Sequence, residues 1–365
     1  MRRALELAAS ADHLTSPNPM VGAIVLDRDG AVAGDGSHQR AGEEHAEKIA
    51  LDRAGARARR GTLYVTLEPC THQGRTPPCV EAVIASGVTR VVVAMPDPDR
   101  RVSGDGIRRL RAAGIEVEVG PEAAPEAVAA RHLNRFYIKH RTTGLPWVTV
   151  KFGSSLDGRI STTSGESRWI TGEDARREGH RLRQRHDAIL VGAGTIVADD
   201  PELTNRLPDA PRQPLRIVLD STLRIPSTAR VLDQRQARTL VVTTDRAPAA
   251  ARAAIGEQAE VAAVAAGGPQ QRVDLDRVLE LLGGRDIISV LVEGGAEING
   301  AFFDAGLVDG VAAFLAPIVI GGRAAPGAVG GEGVSRLADA HRLQNLVVRR
   351  IGDDLMIEGD VHRDR

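Results

Sequence analysis

The chain has 365 residues, with 47 Lys plus Arg against 48 Asp plus Glu, and a net charge of −1. So even a balance excludes a broad electrostatic grip on nucleic acid or an anionic membrane, and aromatics at 2% leave few rings for stacking unpaired bases. The length suits two domains, no apolar run nears the roughly 18 residues of a membrane span, and the first residues do not read as a signal peptide; a cytoplasmic protein is expected.

The first part of the chain alternates apolar runs with helical patterns, the mark of a layered α/β fold. Met20–Leu26 and Ala31–Gly36 read as a hairpin turning at Asp27–Gly30. A helix over Glu43–Gly55, a buried strand over Thr62–Leu67 and a helix over Pro78–Ser86 follow. Next come a strand at Thr89–Met95, a helix at Gly106–Ala113 and a short strand at Ile115–Val119. Gly144 and Pro146 punctuate Arg141–Pro146 as a junction, which sets domains at 1–143 and 146–365.

The second unit reads as α/β again. Strands are expected at Trp147–Phe152, Ala188–Val191, Leu215–Leu219, Thr239–Thr243, Ile287–Val292 and Val311–Ala316. Helices are expected at Glu173–Arg185, Asp274–Leu282 and Glu297–Ala305. The Ala-rich stretch 246–268 is weakly patterned and reads as peripheral.

Cys70 and Cys79, the only two cysteines, follow His45-Ala46-Glu47, and Pro69 precedes the first of them. One imidazole and two thiolates form the ligand set of a catalytic zinc whose fourth position is open to water. Glu47 then carries the proton: it takes one from water and delivers it to a departing amine. A disulfide and a pair of inert buried thiols are the bland alternatives. The joint order of His45, Glu47, Pro69, Cys70 and Cys79 favours zinc over both. A structural zinc would want a fourth protein ligand, and His72 is the sole nearby candidate.

The second unit lacks a Gly-x-Gly-x-x-Gly turn. Gly192-Ala193-Gly194-Thr195 is only a weak echo, so a Rossmann fold is not supported. Ile288–Val292 instead runs into Glu293-Gly294-Gly295, and paired glycines opening a helix let backbone N–H groups approach a pyrophosphate. The chain keeps just three lysines, of which Lys151 stands at a strand end beside these motifs.

Several segments together carry a family resemblance. Thr15–Ala23, Gly42-x-x-His45-Ala46-Glu47 and Leu67–Cys79 are similar to the motifs of the bifunctional deaminase/reductases of riboflavin biosynthesis. So are Lys151–Arg159, Ser164–Thr171, Val191–Pro201 and Leu203–Arg206. The resemblance spans essentially the whole chain. It implies an N-terminal cytidine-deaminase-like three-layer α/β/α domain followed by a C-terminal dihydrofolate-reductase-like α/β domain.

By that resemblance, one Zn2+ sits on His45, Cys70 and Cys79, while Asn18, His38, His72, Arg75 and Asp97 hold the pyrimidine and its phosphate. Gly153, Trp169, Thr195, Asp199, Ser221, Gly294 and Gly295 would hold NADPH. Ser167, Arg183, Leu203, Arg206 and Glu293 would hold the ribosylamino substrate. Lys151 would orient it, with Asp199 or Glu293 handling protons. Small phosphorylated pyrimidines, no nucleic acid, no membrane and a homo-oligomer are implied. Two departures stand out: Arg75 replaces the family's usual lysine, and Asp97-Pro98-Asp99-Arg100 replaces Asp-Pro-Asn-Pro.

Overall fold

The computed structural model describes residues 1–71, 77–99, 103–268 and 270–362, and it divides into two units, Met1–Leu145 and Pro146–Arg365. The first unit runs α1 (Arg2–Ala9), β1 (Gly22–Leu26), β2 (Val32–Ser37), α2 (Ala46–Ala54), β3 (Thr62–Val65), α3 (Cys79–Ser86), β4 (Arg90–Val93), α4 (Asp105–Ala112), β5 (Glu116–Val119), α5 (Pro125–Leu133) and α6 (Arg135–Thr143). Its five-stranded sheet has the order β2-β1-β3-β4-β5. β1 is antiparallel to β2 and β3, whereas β3, β4 and β5 are parallel.

Glycines on the strands let helices lie directly on the sheet backbone. A Cβ at Gly22 would stand 1.9 Å from the Ala4 carbonyl oxygen of α1. At Gly34 and Gly36 it would stand 2.2 and 2.6 Å from the carbonyl oxygens of Ala50 and Ala46 on α2. The facing helix residues are alanines for the same reason; Ala4, Ala8, Ala46 and Ala50 are fully buried. This close seam fixes the start of α2, where His45 and Glu47 sit.

Two differences from the sequence reading concern this unit. α5 and α6 carry no expectation in the sequence because each is short and their join at Asn134 breaks any period. That asparagine is a brace: Met20 N–H donates to its Oδ1 at 2.7 Å, and its Nδ2 donates to Met20 O at 3.0 Å. The junction is also shorter than expected, because α6 continues through Arg141 to Thr143 before Gly144 turns left-handed at φ 77°.

The second unit adds β6 (Trp147–Ser155), α7 (Glu173–Arg185), β7 (Ala188–Gly192), α8 (Ala193–Asp199), β8 (Leu215–Leu219), β9 (Thr239–Thr244), α9 (Ala249–Gly256) and β10 (Glu260–Val264). It continues with β11 (Ala266–Gly267), β12 (Arg272–Val273), α10 (Leu275–Gly283), β13 (Ser289–Val292), α11 (Ala296–Asp304), β14 (Gly310–Ala316), β15 (Leu343–Ile351) and β16 (Asp354–Val361). Nine strands form one sheet in the order β10-β9-β8-β7-β13-β6-β14-β16-β15. The strands from β10 to β14 are parallel; β16 and β15 close that edge as an antiparallel hairpin.

The inner strands are buried on both faces, as parallel strands under helices must be: all four residues of β13 are buried, and so are Ala188–Val191 of β7. The Ala-rich stretch is indeed at the periphery, yet ordered: it forms α9 and the edge strand β10. The fully buried Arg216 staples the loops flanking β8, donating to the carbonyls of Glu202 at 3.0 Å, Asp233 at 2.9 Å and Ala237.

Candidate active sites

The first site gathers at the ends of α2, β3 and α3. His45 is the N-cap of α2, one residue ahead of the helix rather than inside its first turn, and Cys79 opens α3. His45 Nδ1 lies 3.0 Å from Cys79 Sγ and 3.6 Å from Cys70 Sγ, and one donor atom from each of the three residues falls within 4.8 Å of the others. Tetrahedral zinc with Zn–N and Zn–S bonds of about 2.0–2.3 Å requires ligand atoms roughly 3.3–3.8 Å apart; the donor set fits, the His45–Cys70 spacing falls in that range, and the His45–Cys79 pair is a few tenths of an ångström closer. Cys79 N–H also donates to Cys70 Sγ at 3.4 Å. Hydrogen bonds from Cys79 and then His45 outweigh burial and pull the Cys70 thiol down to about 4.

Glu47 is 3% exposed, in the first turn of α2. Burial, then the Cys70 thiolate, pushes its carboxyl up to about 7. A cavity of about 260 Å³ opens over these groups, lined by Asn18, His38, His45, Glu47, Cys70 and Asp97 together with Glu68, Asp99, Tyr137 and Arg141. His38 Nδ1 is 3.0 Å from Glu44 O, an obligate acceptor, so Nδ1 carries the proton and Nε2 accepts from Asn18 Nδ2 at 3.2 Å. That bond turns the Asn18 amide so that its oxygen remains an acceptor. Burial lowers the His38 pKa, which favours the neutral ring.

Three residues of this site escape the sequence reading. Glu68, buried beside Pro69, accepts backbone N–H groups from Asp97 at 3.1 Å, Gly104 at 3.0 Å and Ile107 at 3.1 Å. It ties Asp97, Gly104 and the first turn of α4 to the chain beside Pro69. Its place two residues ahead of Cys70 is the one signal that could have marked it. Tyr137 donates from its hydroxyl to Asp97 at 3.1 Å, and Arg141 stands 3.8 Å from Asp99. Both belong to α6, remote in sequence from the motifs of the first unit. Burial raises the Asp97 carboxyl to about 6, against the pull of the Asp99 N–H and the Tyr137 hydroxyl. His72 and Arg75 lie outside the described residues.

The second unit holds a buried charge cluster at the end of β13. Arg183 on α7 makes a forked pair with Glu293, with Nε to Oε1 at 2.8 Å and Nη2 to Oε2 at 2.9 Å, while its Nη1 donates to Thr204 O at 2.7 Å. Lys151 Nζ is 3.8 Å from Glu293 Oε2. Burial alone would raise Glu293; Arg183 and Lys151 overcome it and hold the carboxyl at about 2. Arg206 N–H donates to His180 Nδ1 at 3.2 Å, which ties the loop of buried Leu203 to α7. Burial, then Arg183 and Arg206, lowers His180 to about 4.

Directly after Glu293, Gly294 and Gly295 lead into α11. A side chain at Gly294 would strike Ile298, whereas Gly295 faces open space. Gly295 and Ala296 line a second cavity of about 780 Å³ with Gly192–Thr195 and Ser221. A wall of glycine and a helix start suits a pyrophosphate. Thr195, Ser221 and Gly295 thus come together, with Gly294 adjoining. Gly153, Trp169 and Asp199 do not line this cavity: Gly153 packs on Thr171, Trp169 is exposed under Arg176, and Asp199 receives Arg168 on its backbone oxygen at 2.7 Å. Ser167 is half-buried.

Comparison with known proteins decides the family. Residues 146–357 match the RibD C-terminal domain, and residues 1–95 match the cytidine and deoxycytidylate deaminase zinc-binding region. The riboflavin biosynthesis protein RibD of Bacillus amyloliquefaciens is 41% identical over 100% of this chain and 99% of its own. The chain belongs to the RibD family. The RibD of Escherichia coli K12 is 40% identical over 98% of this chain and 97% of its own. Among solved structures, RibD from Acinetobacter baumannii superposes with a TM-score of 0.86 at 35% identity, covering 99% of this chain and 98% of that one. The diaminohydroxyphosphoribosylaminopyrimidine deaminase/5-amino-6-(5-phosphoribosylamino)uracil reductase of Thermotoga maritima gives 0.85 at 34% identity, covering 99% and 97%. The deaminase-like and reductase-like architectures implied by the motifs are those of RibD structures. The chain is a bifunctional enzyme of riboflavin biosynthesis, with a zinc-binding deaminase domain and a reductase domain.

Proposed function

We propose that the first unit deaminates 2,5-diamino-6-ribosylamino-4(3H)-pyrimidinone 5′-phosphate, and that the second reduces the resulting 5-amino-6-(5-phosphoribosylamino)uracil with NADPH to its ribityl form. The observation that carries the first step is the buried Glu47 carboxyl beside the His45, Cys70 and Cys79 donor set. Zinc, when held by those three residues, supplies a Lewis acid that acidifies water. Glu47, whose pKa is pushed close to neutrality, takes a proton from the attacking water and returns it to the departing amine nitrogen. The Asn18 amide oxygen and the Asp97 carboxylate accept from donors on the pyrimidine edge. His72 and Arg75 are assigned to the phosphate.

In the second unit NADPH, when bound along the 780 Å³ cavity, supplies the hydride. Lys151 orients the opened ribose. Glu293, held ionised, anchors Lys151 and Arg183 instead of donating a proton. Three N–H groups of Arg183 are committed to Glu293 and Thr204, so Arg206 leads at the substrate phosphate, with Ser167 and Leu203 shaping the approach. Asp199 stays the candidate for proton delivery. Gly153 and Trp169 are assigned to the nicotinamide end of the cofactor.

We also propose a homo-oligomer acting in the cytoplasm. Supporting it, the outer strand β15 exposes Leu346, Val347 and Val348, and no helix among the described residues is long and apolar enough to cross a membrane.

The test uses zinc-loaded protein and the diaminopyrimidinone ribosyl phosphate. Ammonia should appear, and NADPH absorbance should then fall. Glu47→Gln should retain zinc yet lose ammonia release by roughly 10²-fold or more. Full activity in that variant would refute the proton role.

A further inference from the structure

The large cavity of the second unit carries more positive charge than a pyrophosphate needs. Arg224, Arg246 and Arg272 all line it, and all are exposed. They come from three segments: the loop after β8, the turn after β9, and β12. No local repeat or helical period brings them together.

Bonds around Ser221 do. Thr244 Oγ1 donates to Ser221 O at 2.8 Å, which ties the end of β9 to this turn. Val273 N–H donates to Ser221 Oγ at 3.0 Å, which ties β12 to it. Arg246 stands two residues past Thr244, Arg272 immediately precedes Val273, and Arg224 stands three past Ser221. The serine hydroxyl, accepting from Val273, keeps its own proton to donate.

Little acid offsets these cations. Of the two carboxylates lining the cavity, buried Asp220 accepts Ile225 N–H at 2.9 Å. Glu297 faces Arg272 at 3.6 Å, an exposed pair of the kind worth little. The glycine wall at the start of α11 suits one phosphate group, and the arginines offer donors for a second, more highly charged anion. NADPH differs from NADH by one such group, the phosphomonoester on the adenosine 2′ oxygen, and forked guanidinium donors are suited to it.

We infer that Arg224, Arg246 and Arg272, grouped around Ser221, form the pocket for the adenosine 2′-phosphate and set the preference for NADPH over NADH. The inference rests on the nicotinamide-dependent reductase reading proposed above. It names the groups that discriminate between the two dinucleotides, which that reading leaves open.

Direct titration of the full chain with NADPH and with NADH, followed by nicotinamide fluorescence, tests it without turnover. Wild-type protein should bind NADPH more tightly than NADH. Arg224→Ala, Arg246→Ala and Arg272→Ala should each weaken NADPH roughly tenfold or more and leave NADH within about twofold. The NADH titration doubles as a check that each variant is folded. Equal losses for both dinucleotides would place the arginines elsewhere on the cofactor and overturn the inference, as would variants that bind NADPH unchanged. Wild-type protein that binds both dinucleotides alike overturns it too, while leaving the reductase reading in place. Wild-type protein that binds neither would sink the reductase reading itself, and this inference with it.

Discussion

Glu293 shows how one carboxylate can hold a site in shape through charge and a forked pair of hydrogen bonds. Its pKa falls from 4.5 to about 2 because Arg183 and Lys151 outweigh burial. A depressed carboxylate contributes stability that is complete above its unfolded pKa and disappears as the pH drops through the folded value. Glu293→Gln should therefore cost about 3–5 kcal/mol at neutral pH, because Arg183 is left buried without a counter-charge. The gap from wild type should shrink from about pH 4.5 downward and close near pH 2, read from urea midpoints across that range. A gap independent of pH would mean that lost packing, not charge, sets the cost. Asp97 makes the opposite case: burial raises it to about 6, and Tyr137, Asp99, Glu68 and Arg141 surround it. Tyr137→Phe removes a donor that favours the ionised form. On the proposal that Asp97 accepts from the substrate in its ionised form, the acid limb of deaminase kcat/KM should move to higher pH than in wild type.

Among elements, the seam between β2 and α2 ties packing to chemistry. Gly36→Ala would put a Cβ 2.6 Å from the Ala46 carbonyl oxygen and 2.8 Å from Ala50 N, all backbone that cannot turn away. The variant should lose roughly 1–3 kcal/mol and bind zinc more weakly, because the start of α2 carries both His45 and Glu47; calorimetry and metal analysis would show the two losses together. What the sequence makes legible follows the same logic. β8 and α7 are found at their bounds because Leu215–Leu219 is apolar at every position but Arg216 and Glu173–Arg185 is amphipathic and long. The candidate zinc donors are legible because metal chemistry admits few residue types at few spacings. Tyr137 and Arg141 are not, because they reach the cavity from a helix whose pattern is weak and whose position depends on the Asn134 brace. Glu68 is quoted within a motif, yet only the folded chain reveals that three N–H groups converge on it.

Across the whole molecule, two units with separate sheets should fail separately. A strong chelator should abolish ammonia release and lower the melting temperature of the first unit, while NADPH oxidation with the already deaminated substrate continues. Loss of both activities together would mean that the two reactions share more than a chain. The order of strands in the larger sheet has a further consequence, for biosynthesis. β6 is the first strand of its unit to be made, yet it lies in the middle, between β13 and β14, paired with segments that begin at Ser289 and Gly310. Pairing over such sequence distance is slow, and chains emerge N-terminus first. Until Ser289 has left the ribosome, Val148 and Val150, fully buried in the finished sheet, have no neighbouring strand to lie against. The nascent chain therefore carries this segment uncovered through more than a third of its synthesis, and chaperone demand should rise over that interval.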